Sequence, residues 1–306
     1  MSKNKIPIII ILYNRPKHAQ KLFQSITTGK NFSKYDFYVF CDGPRNKEDV
    51  KKIKKIKTLI KQFKKKIRVK SCFRKKNIGL IKNITNSINL ILKKNDKAII
   101  LEDDLILDYD FFNFMETSLK KYANHNKIFQ ISGYSYPIKN HNNLHYFLAL
   151  TSCWGWGITA QNWQNFNKFL NDKKLINFNY QKLRNSKSLR HSFNYFGSYN
   201  YFSMLEKSLN NKVNSWGIIF YLYLFINKKL TLFPNQSLVK NDGFDGSGNH
   251  KSKNNSFNKE FNLTNVGNFP KKVISYNYPK DRVINYFKKN LSLYGKIKNK
   301  LYENFF

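Results

Sequence analysis

The sequence predicts an α/β protein: a mostly parallel sheet with helices on both faces, then an irregular lobe rich in aromatics and a basic terminal helix. Three observations carry this. Short apolar runs alternate with helical periodicity through the first half of the 306 residues, as in a parallel sheet covered by helices. Those runs end in turn-forming clusters such as Asp42-Gly43-Pro44. From about Leu148 the alternation gives way to aromatic-rich helical stretches.

The expected strands are Pro7 to Leu12, Phe37 to Cys41, Ile67 to Phe73, Lys97 to Leu101 and Ile128 to Ser132. Between them Ile53, Ile56, Ile60, Phe63 and Ile67 recur at helical spacing opposite lysines, and Leu80, Ile84, Ile88 and Ile91 do the same. Further helices are expected at Ala160 to Leu170, Tyr199 to Leu209 and Trp216 to Ile226, with a loop at Asn241 to Asn249 and an extended stretch from Asn254 to Asn268. Val283, Phe287, Leu291, Tyr294, Ile297, Leu301 and Phe305 step by three or four against Lys288, Lys289, Lys296, Lys298 and Lys300. That pattern fits a helix docked on the protein's own core or one lying on a membrane surface. The resulting regions are 1–147, a second lobe over 148–280 built on the same sheet, and a terminal helix over 281–306.

Lys and Arg number 55 against 18 acids, a formal charge of +37, which favours polyanionic partners: nucleic acid, an anionic membrane or phosphorylated substrates. Part of the excess follows from overuse of Lys, Asn, Ile, Phe and Tyr, as codons rich in A and T produce. Aromatic residues make up 16% of the chain, so the mean hydropathy of −0.58 reflects Lys and Asn rather than a lack of core and argues against disorder. Cys41, Cys72 and Cys153 form no CxxC pair; a reducing cytosol fits them better than a disulfide framework. The run Ile6 to Leu12 is too short for a signal peptide or a membrane span and reads as a first strand.

Chemistry concentrates in one place. Five of the 18 acids, Glu102, Asp103, Asp104, Asp108 and Asp110, fall within nine positions where even scatter would place about half of one. They directly follow the apolar run Ala98 to Leu101 and so sit at the carboxyl edge of the sheet, where open α/β sheets bind ligands. Crowded carboxylates suit a hard divalent cation, Mg²⁺ or Mn²⁺, which in turn neutralises a diphosphate. The triplet 102–104 is assigned that use, and Asp108 and Asp110 the capping of a helix starting near Phe111.

The same edge carries Tyr13-Asn14-Arg15-Pro16 and Asp42-Gly43-Pro44; a carboxylate such as Asp42 can accept from the N3–H of uracil. Arg74, Asn77 and Gly79 stand where a phosphate or ribose would meet a helix start. Trp154 and Trp156, set between glycines, suit sugar stacking or a tight core corner. His250 is a candidate third metal ligand or diphosphate contact in a Gly-rich loop, and the other histidines, His18 among them, have no ligand-like spacing.

These residues together resemble an inverting glycosyltransferase of the GT-A fold, a Rossmann-like architecture. Ile100-Leu101-Glu102-Asp103-Asp104-Leu105, with Asp110-Phe111-Phe112, is similar to the Glu-Asp-Asp signature of the Golgi N-acetylglucosaminyltransferase acting on the mannose core. Bacterial sugar transferases of surface-polysaccharide clusters are similar through Trp154-Gly155-Trp156, Ser215-Trp216-Gly217 and Ser237-Leu238-Val239 to His250, in patches across residues 6 to 250. The resemblance implies a nucleotide-sugar-binding first region and an acceptor-binding lobe, with Asp104 on the metal and Glu102 and Asp103 on the nucleotide. It also implies Arg15 near the diphosphate and Asp42 on the base, which favours a UDP-sugar donor. Gly217 and Ile218 stand where the Golgi enzyme has its catalytic carboxylate, so Asp245 and Glu206 are the substitute candidates for the general base. The implied acceptor is a surface or lipid-linked glycan, with the protein cytoplasmic and peripheral on the inner face of an anionic membrane.

Two rivals remain at this point. A nucleotidyltransferase normally needs a Gly-rich phosphate loop after the first strand, and Tyr13-Asn14-Arg15-Pro16-Lys17 has no glycine. Binding to nucleic acid would suit the charge, but acids at the sheet edge repel phosphates, so no nucleic-acid partner is expected.

Overall fold

A computed structural model describes residues 5–138, 143–213, 215–245 and 267–291. The strands are β1 (Pro7–Leu12), β2 (Asp36–Cys41), β3 (Arg68–Phe73), β4 (Lys97–Glu102), β5 (Leu105–Leu107), β6 (Ile128–Ser132), β7 (Tyr146–Leu148), β8 (Trp156–Thr159), β9 (Leu230–Phe233) and β10 (Val239–Asn241). The helices are α1 (Pro16–Thr28), α2 (Lys47–Phe63), α3 (Leu80–Leu92), α4 (Phe111–Tyr122), α5 (Ala160–Asn171), α6 (Lys173–Asn185), α7 (Lys187–Phe193), α8 (Tyr201–Leu209), α9 (Trp216–Ile226) and α10 (Asn277–Leu291). An eight-stranded sheet runs β3-β2-β1-β4-β8-β6-β9-β7, with a two-stranded ribbon β10-β5 beside it.

β1 pairs in parallel with β2 and β4, and β2 with β3. Every side chain of β1 is buried, as expected of a parallel strand covered on both faces. Local rules explain the first helices. Pro16 opens α1, which buries Ala19, Leu22, Phe23 and Ile26. Asn46 caps α2 by accepting from Asp49 N–H, and Glu48 and Asp49 occupy the positive end of its dipole. Ile53, Ile56 and Ile60 form its buried stripe.

The five strands expected from the apolar runs form to within a residue or two at either end. The second half is more ordered than its sequence suggests. β8 lies antiparallel between β4 and β6, and β9 pairs with β6 and β7. The boundary placed between residues 147 and 148 therefore falls inside β7, and both halves supply strands to one sheet. Helices α6 and α7 were not anticipated.

The basic terminal helix begins at Asn277, and its described part is docked. Val283 and Phe287 are buried, with the Phe287 ring against Tyr136, Tyr195 and Tyr199. The positions of this amphipathic pattern beyond Leu291 lie outside the described residues, as does most of Asn254 to Asn268. No helix among the described residues is long and apolar enough to cross a membrane.

Candidate functional site

Three strand ends and the ribbon build the site. β4 ends on Glu102, in register with Ile11 of β1, so the triplet and the Tyr13-Asn14-Arg15 connection emerge side by side. The chain then reverses into β5, which pairs with β10 in the register Leu105↔Asn241. This pairing extends outward, because Asp242 N–H donates to Asp104 O at 2.7 Å. The segment Asn241 to Gly243 is thereby laid against Asp104, close enough that a Cβ at Gly243 would stand 2.5 Å from Asp104 Oδ2 and push that side chain aside.

Arg15 donates to both Asp103 and Asp104, the latter at 3.0 Å. Burial opposes its charge, but the two carboxylates outweigh that and raise its pKa further. Burial, then Asp104 and Asp103, push Glu102 up to about 8 against the pull of Arg15, and burial raises Asp103 despite the same cation. Arg15 thus meets two carboxylates with one guanidinium, and burial beside them favours the protonated form of Glu102. The donor set is all oxygen, which suits a hard cation. Among the described residues no three His, Cys, Asp or Glu side chains form a ready-made cage, so any cation would complete its shell with substrate phosphates and water, the usual arrangement for Mg²⁺.

His18, given no role by its spacing, belongs to this site. Its Nε2 lies 3.2 Å from Asp242 O and 3.3 Å from Asp245 Oδ2; both are acceptors, so Nε2 carries the hydrogen. Lys21, one turn along α1, pairs with Asp242 at 2.6 Å. The half-exposed Asp245 is in this way tied to α1, three residues beyond the Asp242 that bonds Asp104. Glu206 is elsewhere: it accepts from Tyr180 Oη at 3.0 Å on the α6 and α8 side. His250 lies outside the described residues.

The other candidates divide. Asp42 is buried and accepts from three backbone amides, Gly43 at 2.8 Å, Ile78 at 3.0 Å and Gly79 at 2.9 Å. Its visible work is tying β2 to the start of α3, where Gly79 has φ +83°. Asn77 donates to Gly43 O at 2.9 Å and Arg74 Nε to Asn83 Oδ1 at 2.7 Å, bracing the same corner. A methyl at Gly43 would overlap the Lys76 backbone.

Of its two readings, Trp156 takes the core corner and not sugar stacking. It is fully buried in β8 among Trp163, Trp216 and Phe220, where no ligand can stack. Trp154 is half-buried, edge-on to Tyr134 at 4.7 Å and to Phe244 at 5.7 Å, which puts it beside the segment covering the acids. The helix-capping assignment also needs correction: Asp110 makes no side-chain cap, while Asp108 accepts from Asp110 N–H at 3.0 Å and shapes the turn.

Another buried acid had no sequence signal. Asp49, hidden in a lysine-rich helix, accepts from Tyr13 Oη at 2.5 Å, Asn14 Nδ2 at 2.6 Å and Arg45 N–H at 3.0 Å. Burial alone would raise its pKa, yet these bonds hold it well below the usual carboxylate range. Asp49 thereby fixes the turn that delivers Arg15.

No family model matches the chain, and no curated protein matches its sequence. Among solved structures it is similar to S. aureus TarS 1-349 in complex with UDP-GlcNAc, at 10% identity over 76% of this chain and 56% of that one, TM-score 0.40. It is also similar to the mannosyltransferase PcManGT from Pyrobaculum calidifontis in complex with GDP-Man and Mn²⁺, at 7% identity over 74% of each chain, TM-score 0.39. A third is the glycosyltransferase GlyE of Streptococcus pneumoniae TIGR4, at 12% identity over 56% of this chain and 40% of that one, TM-score 0.33. The chain spans about half the length of the TarS 1-349 chain. Likenesses this remote assign no role to any residue of this chain.

Proposed function

We propose that the protein is a metal-dependent, inverting glycosyltransferase that moves a sugar from a nucleotide diphosphate sugar, by preference a UDP-sugar, to a hydroxyl of a surface or lipid-linked glycan. The observation that carries this is the under-neutralised triplet Glu102-Asp103-Asp104 at the sheet's carboxyl edge, with Arg15 on two of its acids and Asp242 N–H on Asp104 O, three residues before the Asp245 that His18 holds. Such an edge is where an α/β sheet takes a nucleotide, and the charge deficit is what a cation with a diphosphate would fill.

A bound Mg²⁺ or Mn²⁺ supplies charge stabilisation at the departing diphosphate. Asp104 is its ligand in this reading, with Glu102 and Asp103 orienting the nucleotide. Arg15, already spanning two carboxylates, offers its remaining N–H donors to a phosphate oxygen. Trp154 presents a ring to a sugar. Asp245 accepts the proton of the acceptor hydroxyl as its oxygen bonds to the anomeric carbon and the diphosphate leaves from the opposite face; Glu206, engaged with Tyr180, is the weaker candidate. The test is release of nucleoside diphosphate from UDP-, GDP- and dTDP-sugars with and without Mn²⁺. Metal-dependent release from one donor class supports the reading, and no release from any, with a glycan or lipid-linked acceptor present, counts against it.

A further inference from the structure

The 46 residues from Val50 to Asn95 contain 17 Lys and Arg, against about 8 for an even spread, and no Asp or Glu at all. They form one edge of the sheet: the edge strand β3, with α2 on one face and α3 on the other. Helix α2 buries Ile53, Ile56 and Ile60, leaving Lys51, Lys54, Lys55, Lys57 and Lys61 exposed. The turn Lys64-Lys65-Lys66 continues the exposed charge toward Arg68 and Lys70 on β3. Neutralisation within the described residues is slight: Lys52 meets Glu48 at 3.7 Å and Arg68 meets Asp36 at 2.6 Å. At its carboxyl end the flank reaches the rim of the site, because Arg74, Lys75 and Lys76 follow β3, Arg74 N–H donates to Cys41 O and the Lys76 backbone abuts Gly43.

We propose that this β3 edge of the sheet, with α2 and α3 on either side, is a docking surface for a bilayer carrying anionic headgroups. Two features favour lipid over nucleic acid. Fifteen of the 17 charges are Lys, point charges suited to a diffuse surface potential rather than the planar, bidentate contacts that Arg makes to individual phosphates. The large apolar side chains exposed on the flank are aliphatic, Val50 of α2 at 52% and Leu90 of α3 at 57%, and Leu90 lines a shallow recess of about 470 Å³ with the half-buried Tyr38 and with Phe40, Ile91 and Cys72, rimmed by Lys70 and Lys94. Single-stranded nucleic acid would call for exposed rings on which bases stack, and among the described residues this flank exposes none. The assignment does not rest on the proposed activity.

The test is co-sedimentation of the full chain with vesicles of phosphatidylcholine containing 30 mol% phosphatidylglycerol, and with phosphatidylcholine alone. One variant carries Lys54→Gln, Lys55→Gln, Lys61→Gln and Lys65→Gln. A control loses the same charge on α5–α7 through Lys168→Gln, Lys173→Gln, Lys174→Gln and Lys187→Gln, all exposed lysines. At a factor of about five per lysine near such a surface, the flank variant should lose on the order of 10² to 10³ in partitioning to anionic vesicles, and the control less than tenfold. Equal losses in both variants would show that net charge alone acts, and would overturn the proposal. So would wild-type protein that ignores anionic vesicles yet binds a single-stranded oligonucleotide, or binding abolished by deleting residues 292–306 and untouched in the flank variant. Failed sugar transfer alongside flank-dependent vesicle binding would sink the activity and leave the surface standing.

Discussion

Arg15→Gln should make the protein's stability depend strongly on divalent metal, where that of the wild type depends on it only weakly. In the wild type the guanidinium spans Asp103 and Asp104, and the three side chains are mostly withdrawn from water, at 19%, 5% and 16% exposure. Removing one partner of a buried ion pair costs about 3–5 kcal/mol because the remaining charge is left uncompensated. Residual exposure and uptake of a proton by the acids soften this to about 2–3 kcal/mol. At about 2–4 °C per kcal/mol for chains somewhat shorter than this one, the melting temperature in EDTA should fall by about 5–10 °C. Mn²⁺ should restore most of it, since a ligand at a hundred times its Kd contributes about 2.7 kcal/mol, while wild type, with Arg15 already in place, gains less. The assay is thermal unfolding of both proteins in EDTA and in a Mn²⁺ series. An unchanged melting temperature in EDTA would refute the electrostatic account of the triplet; a full loss that Mn²⁺ does not repair would refute its use as a cation site.

Three further outcomes follow from the packing. Asp49→Ala should cost about 3 kcal/mol, because Tyr13, Asn14 and Arg45 lose a shared acceptor, and donor binding should weaken with it if the Tyr13–Asn14 turn aims Arg15. Burial and the nearby Lys121 lower His145 to about 4, so the unfolded chain binds its proton first. Stability tied to His145 is therefore complete above pH 6.5 and declines toward pH 4, by up to about 3 kcal/mol at 1.36 kcal/mol per pKa unit; His145→Phe should flatten that part of the melting-temperature profile. Truncation from Asp281 should yield insoluble protein, because Val283 and Phe287 are core residues and Phe287→Ala alone should cost about 3–5 kcal/mol. A soluble, fully folded truncation would mean that α10 is not part of the core.

The first half of the fold was legible because β1, β2 and β4 are dominated by unbroken apolar runs and α2 and α3 repeat their apolar residues at helical spacing, whereas the exposed edge strand β3 carries Arg68 and Lys70. Trp156-Gly157-Ile158-Thr159 escaped notice because four residues carry little periodicity, and nothing local reveals that they insert between β4 and β6. The ribbon was hidden for the same reason: Leu105–Leu107 is short, and its partner Val239–Asn241 is distant in sequence. The acid triplet stood out by density alone in a chain poor in acids. His18 did not, since ligand spacing is a local signal and its partners lie more than 220 residues away. Asp49 looked like an ordinary first-turn acid, and only the return of Tyr13 and Asn14 onto it shows its use. Trp156 had two open readings at the sequence level, and the aromatic cluster around it decides for packing.

The most direct test of the central claim is calorimetric titration of UDP in the presence of Mn²⁺, repeated with GDP and dTDP, on wild type and Asp104→Asn. The account predicts that wild type binds one of these nucleotides with Mn²⁺ and more weakly in EDTA. Asp104→Asn, which keeps the side-chain shape while removing its charge, should fold and lose the metal-dependent part of the affinity; the same loss in the transition state would cost roughly 10² to 10⁴ in turnover. Equal metal-dependent affinity in wild type and variant would contradict the assignment of Asp104 and of the triplet as the site.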